Sequence, residues 1–480
     1  IAGRHFHSDQ STRPGLAGYL GIDHQYGEAT VTIDGEMIEG IGLRYKGNGT
    51  FLEGHHHGKY SFKIDFNEYD DDLSFRGLTK LNLQNNVTDA SLLREAISYQ
   101  LFREAGIPCS RVGFARVTLT VGDQAKKNLG LYSLVEQVGK RFLKSRFGNA
   151  DGLLLKPSTF GAFRHLGTEW EAYEKAYFPK TKASAEHKER LFAFTRLVHE
   201  ADQSEFEREL TNYLDVDEFL KFLAVNVFLS NLDSFLGSSQ NHYIYLHPGT
   251  NLFQVWPWDL DHSFGSFPLV GTPRTREQLS ILHPAWEENR LIDRVLAIPQ
   301  WKKAYQDQLR TFLGTIFAED KIHRQIDDAA QFLRPLVEEN EKKRAKMFDR
   351  LVSDRPSKKD AVQPLKPFIS ERRKSILLQL DDESEGEIVK MNGLPDFREW
   401  LVWIAAFLIL LLLNFGIFIW NLVAGFRGSV LWGFLNFLYP VSPWIYGFGV
   451  RPDLGRRAAI ASVFGVGLLG LLFVVAQLQG

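Results

Sequence analysis

Apolar and polar residues alternate with a period of two from Glu28 to Phe66. "EATVTIDGEMIEGIGLRYKG" turns at Asp34 and Gly35, and "YSFKIDF" resumes the alternation, which predicts strands joined by a tight turn. The connection "GNGTFLEGHHHG" is rich in glycine and reads as a flexible loop. The period then changes. "DASLLREAISYQLFREAG" repeats apolar residues at helical spacing behind Asp89 as N-cap and stops at Gly106, the pattern of a helix. "VGFARVTLTVG" and "NLGLYSLVEQVG" return to strand character around a polar turn.

From about residue 184 helical spacing dominates. "DVDEFLKFLAVNVFLSNLDS", capped by Asp215, is apolar enough to predict a buried helix. It ends in the polar loop "SNLDSFLGSSQNH", and "YIYLH" and "LFQVWPWD" follow as a short hairpin. Helices are expected again at about 285–298, 301–316, 321–352 and 367–381, and "DDESEGEIVKMNG" reads as a solvated linker.

Near residue 400 the polar chain becomes almost wholly apolar. Trp400 to Val423 is 24 residues without a charge, enough to cross a hydrocarbon core roughly 30 Å thick. Ala458 to Leu478 is a second expected span, whose Gly465, Gly467 and Gly470 suit close packing in lipid. Ser429 to Val450 is interrupted by Pro440 and Pro443, so a kinked span, a re-entrant hairpin and an interfacial segment all remain open. Three crossings would place the polar part on the side of Arg451, Arg456 and Arg457, which positive-inside reasoning makes cytoplasmic; two would place it outside. The chain starts at Ile1 without methionine or signal peptide, and upstream sequence is expected.

Net charge over the 480 residues is −2, which gives no general attraction to nucleic acid. Cys109 is the single cysteine, which excludes an intrachain disulfide and a cysteine-built zinc site. The apolar spans carry no ionisable residue that would line a transport path. His55 to His57 are adjacent residues in a Gly-flanked loop, and adjacent histidines do not share one chelating face. "GNG" at Gly47 to Gly49 lacks the Gly-Lys-Ser/Thr of a Walker loop.

Four features can carry chemistry. Lys63 in "SFKIDF" sits where an alternating strand can turn it toward a cleft, with Lys46 and Lys59 as competitors; a solvent-facing strand lysine is the plainer reading. Glu95 on the helix can pair with such a lysine, or with Arg94 and solvent. Asp233 and Asn241 flank a loop, where a carboxylate can act as base and an amide oxygen can bind a hard cation, although Asx residues also make turns. Asp259 and Asp261 close the apolar run "FQVWPWDLDHSFG". Anions at the end of a buried strand call for a cation, a metal or an arginine.

Together the four stand in the order that protein kinases use, without the usual Gly-rich signature or His-Arg-Asp, and with Asn241 eight residues after Asp233. The motifs "IGLRYKGNGT", "YSFKIDF", "LTKLNLQNNVTDASLLREAISYQLFREAGIP", "GLYSLVEQVGKRFLK", "NLDS" with "NHYIY", and "WPWDLDHSFG" resemble the spore coat protein H (CotH) kinases, over roughly residues 28–270. The resemblance implies an α+β, atypical protein-kinase-like bilobal fold, here followed by a C-terminal bundle of two or three transmembrane helices. The expected divisions are a β-rich lobe over 1–138, a mostly helical lobe over 139–380, a linker over 381–399 and a membrane region over 400–480. Implied activity is transfer of the γ-phosphoryl group of ATP, with Mg²⁺, to a protein hydroxyl; an inactive kinase-like scaffold is the alternative.

Carried over by motif, Lys63 would contact phosphates and Glu95 would pair with it. Asp233 would serve the acceptor hydroxyl, and Asn241 and Asp259 would bind metal, with Asp261 as alternative ligand. Glu136, Gln137 and Val138 would form the hinge that meets adenine. Expected partners are a membrane-associated protein substrate, the lipid bilayer and subunits of a membrane complex. The family's habit of export implies an extracytoplasmic catalytic domain on an integral membrane protein.

Overall fold

The computed structural model describes residues 22–158, 161–237, 239–357, 361–392, 397–438, 442–453, 456–457, 460–461 and 463. The chain forms two compact units, Ile1–Met391 and Asn392–Gly480. The first is a mixed α/β unit built on a curled antiparallel sheet. Its strands are β1 (Gly27–Ile33), β2 (Glu36–Lys46), β3 (Ser61–Asp65), β4 (Lys80–Gln84), β5 (Val112–Leu119) and β6 (Lys127–Glu136), in the order β1-β2-β3-β4-β6-β5.

The β1–β2 turn is made by Asp34 and Gly35 at φ of 51° and 84°, the doubly left-handed backbone that suits a two-residue hairpin. Alternation then sorts the faces. Ile38, Ile41, Phe62, Ile64, Leu81 and Leu83 form one small apolar core with Tyr132. The intervening residues Arg44, Lys63 and Asn82 lie opposite one another across β2, β3 and β4 on the other face.

Strand β4 alternates as "KLNLQ", a short run not counted among the expected strands, and it is central in the sheet. The glycine-rich connection differs from expectation too: Gly49–His57 is a helix, α1. Burial of Phe51 against the rings of His24, Tyr45 and Tyr60 anchors it, and Gly58 ends it in a left-handed C-cap. Helix α2 (Arg94–Glu104) begins later than its expected cap. Asp89 accepts from the backbone N–H of Arg94 and Ser91 instead, closing the turn before the helix.

Downstream, α3 (Val216–Leu229) is capped by Asp215, which accepts from the Glu218 N–H. From Phe222 to Leu229 it is wholly buried, as its apolar composition predicts. It packs against a second sheet of β7 (Leu153–Leu155), β8 (His242–Leu246) and β9 (Phe253–Pro257), in which β8 and β9 are the expected hairpin. The helix expected over 321–352 is broken into α4 (Glu319–Asn340) and α5 (Lys342–Leu351).

Glu341 sits at that break, with its carboxylate in the sheet. It accepts from Lys59 at 2.6 Å and from the Leu131 N–H at 2.7 Å, and it pairs with Arg344 at 2.8 Å. Gly130 makes room: a Cβ there would lie 2.5 Å from the Glu341 carboxylate. Burial pushes Lys59 down to about 8, while Glu341, which burial alone would raise, is held below the usual carboxylate range by Lys59 and Arg344. The two shifts disagree about whether the pair prefers its charges, but a lysine near 8 is still protonated at neutral pH, so the pair is ionic there.

Residues 381–391 are largely exposed, as expected, but are tied to the first unit. Val389 is buried, and Glu387 and Met391 form bridges with Leu279 and Val270, so the compact unit runs to Met391. In the second unit, α7 (Phe397–Gly428) follows α6 (Leu365–Leu380) in the chain, and α8 (Val430–Leu438) comes next. Phe418 meets Phe437, Phe426 meets Phe434, and Asn436 donates to the Asn421 carbonyl at 3.0 Å. That register makes α7 and α8 an antiparallel hairpin.

Among the described residues one helix is long and apolar enough to cross a membrane, over Leu411–Gly428. The expected bundle of two or three is therefore not found among them. Within Ser429 to Val450 the described residues form α8, Ser442–Ile445 and Tyr446–Val450, and Pro440 lies outside the described residues. Most of the expected span Ala458 to Leu478 lies outside the described residues.

Substituting Glu341→Gln leaves Lys59 buried without a counter-charge. It is expected to cost about 3 kcal/mol, seen as a lower urea midpoint for loss of the first unit's structure; an unchanged midpoint would show that the pair does not hold the sheet to α4 and α5.

Candidate active site

A cavity of about 490 Å³ opens on the polar face of the sheet, between β2, β3 and β4 and the loops after β7 and β9. Arg44, Lys46, Lys63, Lys156 and Lys180 line it, with Asp259 as its one carboxylate among the described residues. Burial, with Arg44, Lys80 and Lys156 nearby, pushes the Lys63 ammonium down to about 6. Lys46, at the end of β2, lies 5.5 Å over the Trp258 ring, and Lys156 lies 5.0 Å over the same ring. A pocket with this charge suits a polyanion.

Strand β9 delivers the acidic side. Tyr245 and Trp256 pack beneath it, Trp258 is buried, and the chain turns at Asp259 with φ of 57°. A left-handed backbone is uncommon for a residue other than glycine. It is held in place by its surroundings: the Asp259 N–H donates to the Tyr99 hydroxyl at 3.2 Å, and Oδ1 accepts from Gln84 at 3.1 Å. Asp261 is turned away from the cavity lining and accepts from the Thr88 hydroxyl at 2.6 Å. Burial raises its carboxyl, His262 working against the shift and Asp259 adding to it.

The Phe264–Gly265 turn that follows is fixed from α2. Arg94, fully buried, donates to the carbonyls of Ser263 at 3.0 Å and Phe264 at 3.3 Å. Gly265 is at φ 59°, and a Cβ there would lie 2.6 Å from the Phe368 ring, so no larger residue fits.

Asp233 and Asn241 come together despite their spacing. The Asn241 side-chain nitrogen donates to the Asp233 carbonyl at 2.8 Å and to Oδ2 at 3.1 Å, which leaves the amide oxygen for a cation. Asn241 lines the cavity. Burial pushes the Asp233 carboxyl up to about 7, against His262 and with Asp261 and Asp259.

Glu95 is buried, and among the described residues neither carboxylate oxygen makes a well-formed hydrogen bond, the Leu260 N–H lying near but short of one. Burial raises it well above the carboxylate range, Asp259 and Asp261 add to the shift, and Lys46 and the Leu260 amide oppose it. The expected pairing with Lys63 is not formed: β3 turns Lys63 toward Arg44 and Lys80, and the lysine that Glu95 feels is Lys46. Arg94 does not pair with Glu95 either, being committed to the loop and to Asp89 at 3.5 Å.

Of the expected hinge, Gln137 lines the cavity and Val138 is buried behind it. Glu136 has a structural role. Its carboxylate pairs with Arg146 at 2.6 Å and Arg111 at 2.9 Å, and its backbone bonds Ser110 and Arg111. Burial alone would raise it, but the two arginines hold it below its usual range. Gln84, Thr88 and Tyr99 were missed by sequence reasoning, which named Arg94 only as a partner for Glu95. Lys46 was named there as a competitor; the alternation of "KLNLQ" is the signal that could have turned Gln84 to the polar face, while Thr88 lies beyond it.

Comparison with known proteins bears on this site. The family model described as CotH kinase protein matches residues 43–376, further into the C-terminal helices than the motifs reach. A curated relative, the inner spore coat protein H of Bacillus subtilis (strain 168), is 27% identical over 283 residues, 58% of this chain and 74% of its own length.

Lys63 near 6 is mostly neutral at pH 7 in the free protein, and an anion bound against it would raise that value. Binding of inorganic triphosphate at pH 7 is therefore expected to take up about one proton and to weaken as pH rises. Calorimetry in buffers of different ionisation heat measures this; heats that do not vary with the buffer would place the anion away from Lys63.

Proposed function

The chain belongs to the CotH kinase family, and from that premise we propose that it is a membrane-anchored atypical protein kinase, transferring the γ-phosphoryl group of ATP to a protein hydroxyl. One observation carries the reading: Asp259 stands on the wall of a cation-lined cavity, with Asn241, itself bonded to Asp233, on the same wall. The sheet of residues 27–136 would be the smaller lobe of a kinase-like fold, and the largely helical chain to residue 380 the larger.

Among the described residues, no three Asp, Glu, His or Cys side chains make a ready cage for a metal. Mg²⁺ does not need one, since it is commonly held by one or two carboxylates together with substrate phosphates and water. Asp259 and the Asn241 amide oxygen fit that pattern, and the buried Glu95 carboxylate beside Asp259 and Asp261 adds negative charge that a cation would offset. When bound, Mg²⁺ would neutralise charge on the phosphates.

The chain's own residues then divide the work. Arg44, Lys46 and Lys63 would bind phosphate oxygens, and Gln137 with Val138 would meet the base. Asp261, held by Thr88, would brace the metal loop. Asp233 would take the proton of the acceptor hydroxyl as the new O–P bond forms and the bond from Pγ to the β–γ bridging oxygen breaks, releasing ADP, with Asn241 holding Oδ2 and leaving Oδ1 for the proton.

Anchoring is supported by α7 and α8, whose apolar side chains are largely exposed, among them Leu412, Phe415, Leu431 and Phe437. A water-facing surface of that kind is unfavourable, and lipid would cover it. A bilayer-attached kinase would meet membrane-associated acceptors most often, and its first unit is proposed to face outward, as the family's export suggests.

Phosphate transfer or autophosphorylation by the purified protein tests the activity. Asp259→Ala and Asp233→Ala are each expected to lower it by about 10²–10³-fold; the same low incorporation in wild type and both variants would leave a kinase-like scaffold. Separately, the full chain should stay in the membrane fraction through an alkaline carbonate wash, and release by that wash would remove the anchor.

A further inference from the structure

We propose that Gln84 is a positioning residue that holds the Asp259 carboxylate for a cation and links it to Lys46, an inference that rests on the kinase reading above. Gln84 ends β4, and the strand's alternation explains its direction. Leu81 and Leu83 enter the apolar core, while Asn82 lines the cavity and Gln84 follows it on the same face. The side chain is buried, at 7% exposure.

Both ends of its amide are engaged. Lys46 Nζ donates to Oε1 at 3.0 Å, and Nε2 donates to Asp259 Oδ1 at 3.1 Å. An ammonium only donates and a carboxylate only accepts, so the two neighbours dictate the amide's orientation. Few side chains can do both. Methionine matches the length and serves neither partner. Asparagine keeps the amide but is one methylene too short to span them.

Two consequences follow for Asp259. Its backbone N–H is held by the Tyr99 hydroxyl and its Oδ1 by Gln84, so the carboxylate is presented in one orientation with Oδ2 left for a cation. Lys46 faces the same cavity. A cation on Asp259 and an anion on Lys46 are thus joined through one neutral amide, which allows the two charges to stay close without pairing with each other. Partners of this kind behind a metal ligand commonly matter as much as 10–100-fold in affinity.

The test uses the full chain in detergent and a non-hydrolysable ATP analogue, with binding followed calorimetrically across a Mg²⁺ titration. Gln84→Met is expected to raise the Mg²⁺ midpoint by roughly 10–100-fold and to leave analogue binding in EDTA near that of wild type. A role in packing alone would leave the Mg²⁺ midpoint where it is. Gln84→Asn, which keeps a polar side chain in the core, should shift the midpoint in the same direction and covers the case in which the methionine variant does not fold. Wild-type midpoints in the folded variants would overturn the role of Gln84 while leaving the kinase reading intact. Absence of Mg²⁺-dependent binding in the wild type would overturn both.

Discussion

Like charge gathered without a counter-ion is the constraint around which this fold is arranged. Glu95 and Asp261 are both raised by burial and by neighbouring carboxylates, and among the described residues neither they nor Asp259 make an ion pair. Left alone, such a group would relax by turning outward or by recruiting an arginine. It is prevented from doing so by uncharged donors: Gln84 and Tyr99 hold Asp259, and Thr88 holds Asp261. The nearest arginine, Arg94, is one residue from Glu95 but points into the following loop, where backbone carbonyls and Asp89 occupy it. Consecutive positions on α2, about 100° apart around the helix, thus do opposite jobs, one fixing the loop and one charging it.

The cations gather on the strands of the sheet. Arg44 and Lys63 face each other across β2 and β3, with Asn82 beside them on β4, and the Lys63 ammonium is pushed down by burial first and by the neighbouring cations after it. Lys46 and Asp259 share one cavity and are bridged by the amide of Gln84. Each side costs stability in the free protein, and a ligand carrying both a cation and phosphates would relieve both at once. That is the usual relation between a preorganised site and the fold that supports it, in which local rules are broken where function needs them and obeyed elsewhere. The clamp of Lys59, Glu341 and Arg344 is one of the places where they are obeyed: buried charges there are paired and hydrogen-bonded.

What was legible in the sequence was local. The alternation of "SFKIDF", the cap and apolar run of α3, and the apolar strand running into Asp259 each carry their structure in a window of a few residues, and each is found where the pattern places it. What was not legible depends on distant partners. Helix α1 exists because Phe51 finds an aromatic pocket, although its glycines argue against a helix. Strand β4 is only five residues long, three of them polar, too short a run to stand out until β3 and β6 flank it. The break at Glu341 answers to Lys59, 282 residues away. The pairing of Glu95 failed for the same reason: the alternation that turns Lys63 to the cavity says nothing of which lysine lies above α2.

The loop between Asp233 and Asn241 shows how far spacing in the sequence can mislead about distance in the site. Its extra length is taken up by a buried turn in which Gly237 bonds back to Ser234, and the Trp286 indole and Asn289 amide donate to the carbonyls of Leu232 and Phe235. A Cβ at Gly237 would lie 2.3 Å from that indole nitrogen, so the turn closes tightly only because glycine is there. Asn241 then adopts a left-handed backbone and returns its amide to Asp233. Chemistry requires that a carboxylate and an amide oxygen reach one point from adjoining segments; it places no demand on how many residues lie between them. A departure in spacing is therefore a question about how the added chain is packed, and here the packing is hydrogen-bonded and closed, so the separation of eight residues does not by itself count against a working site.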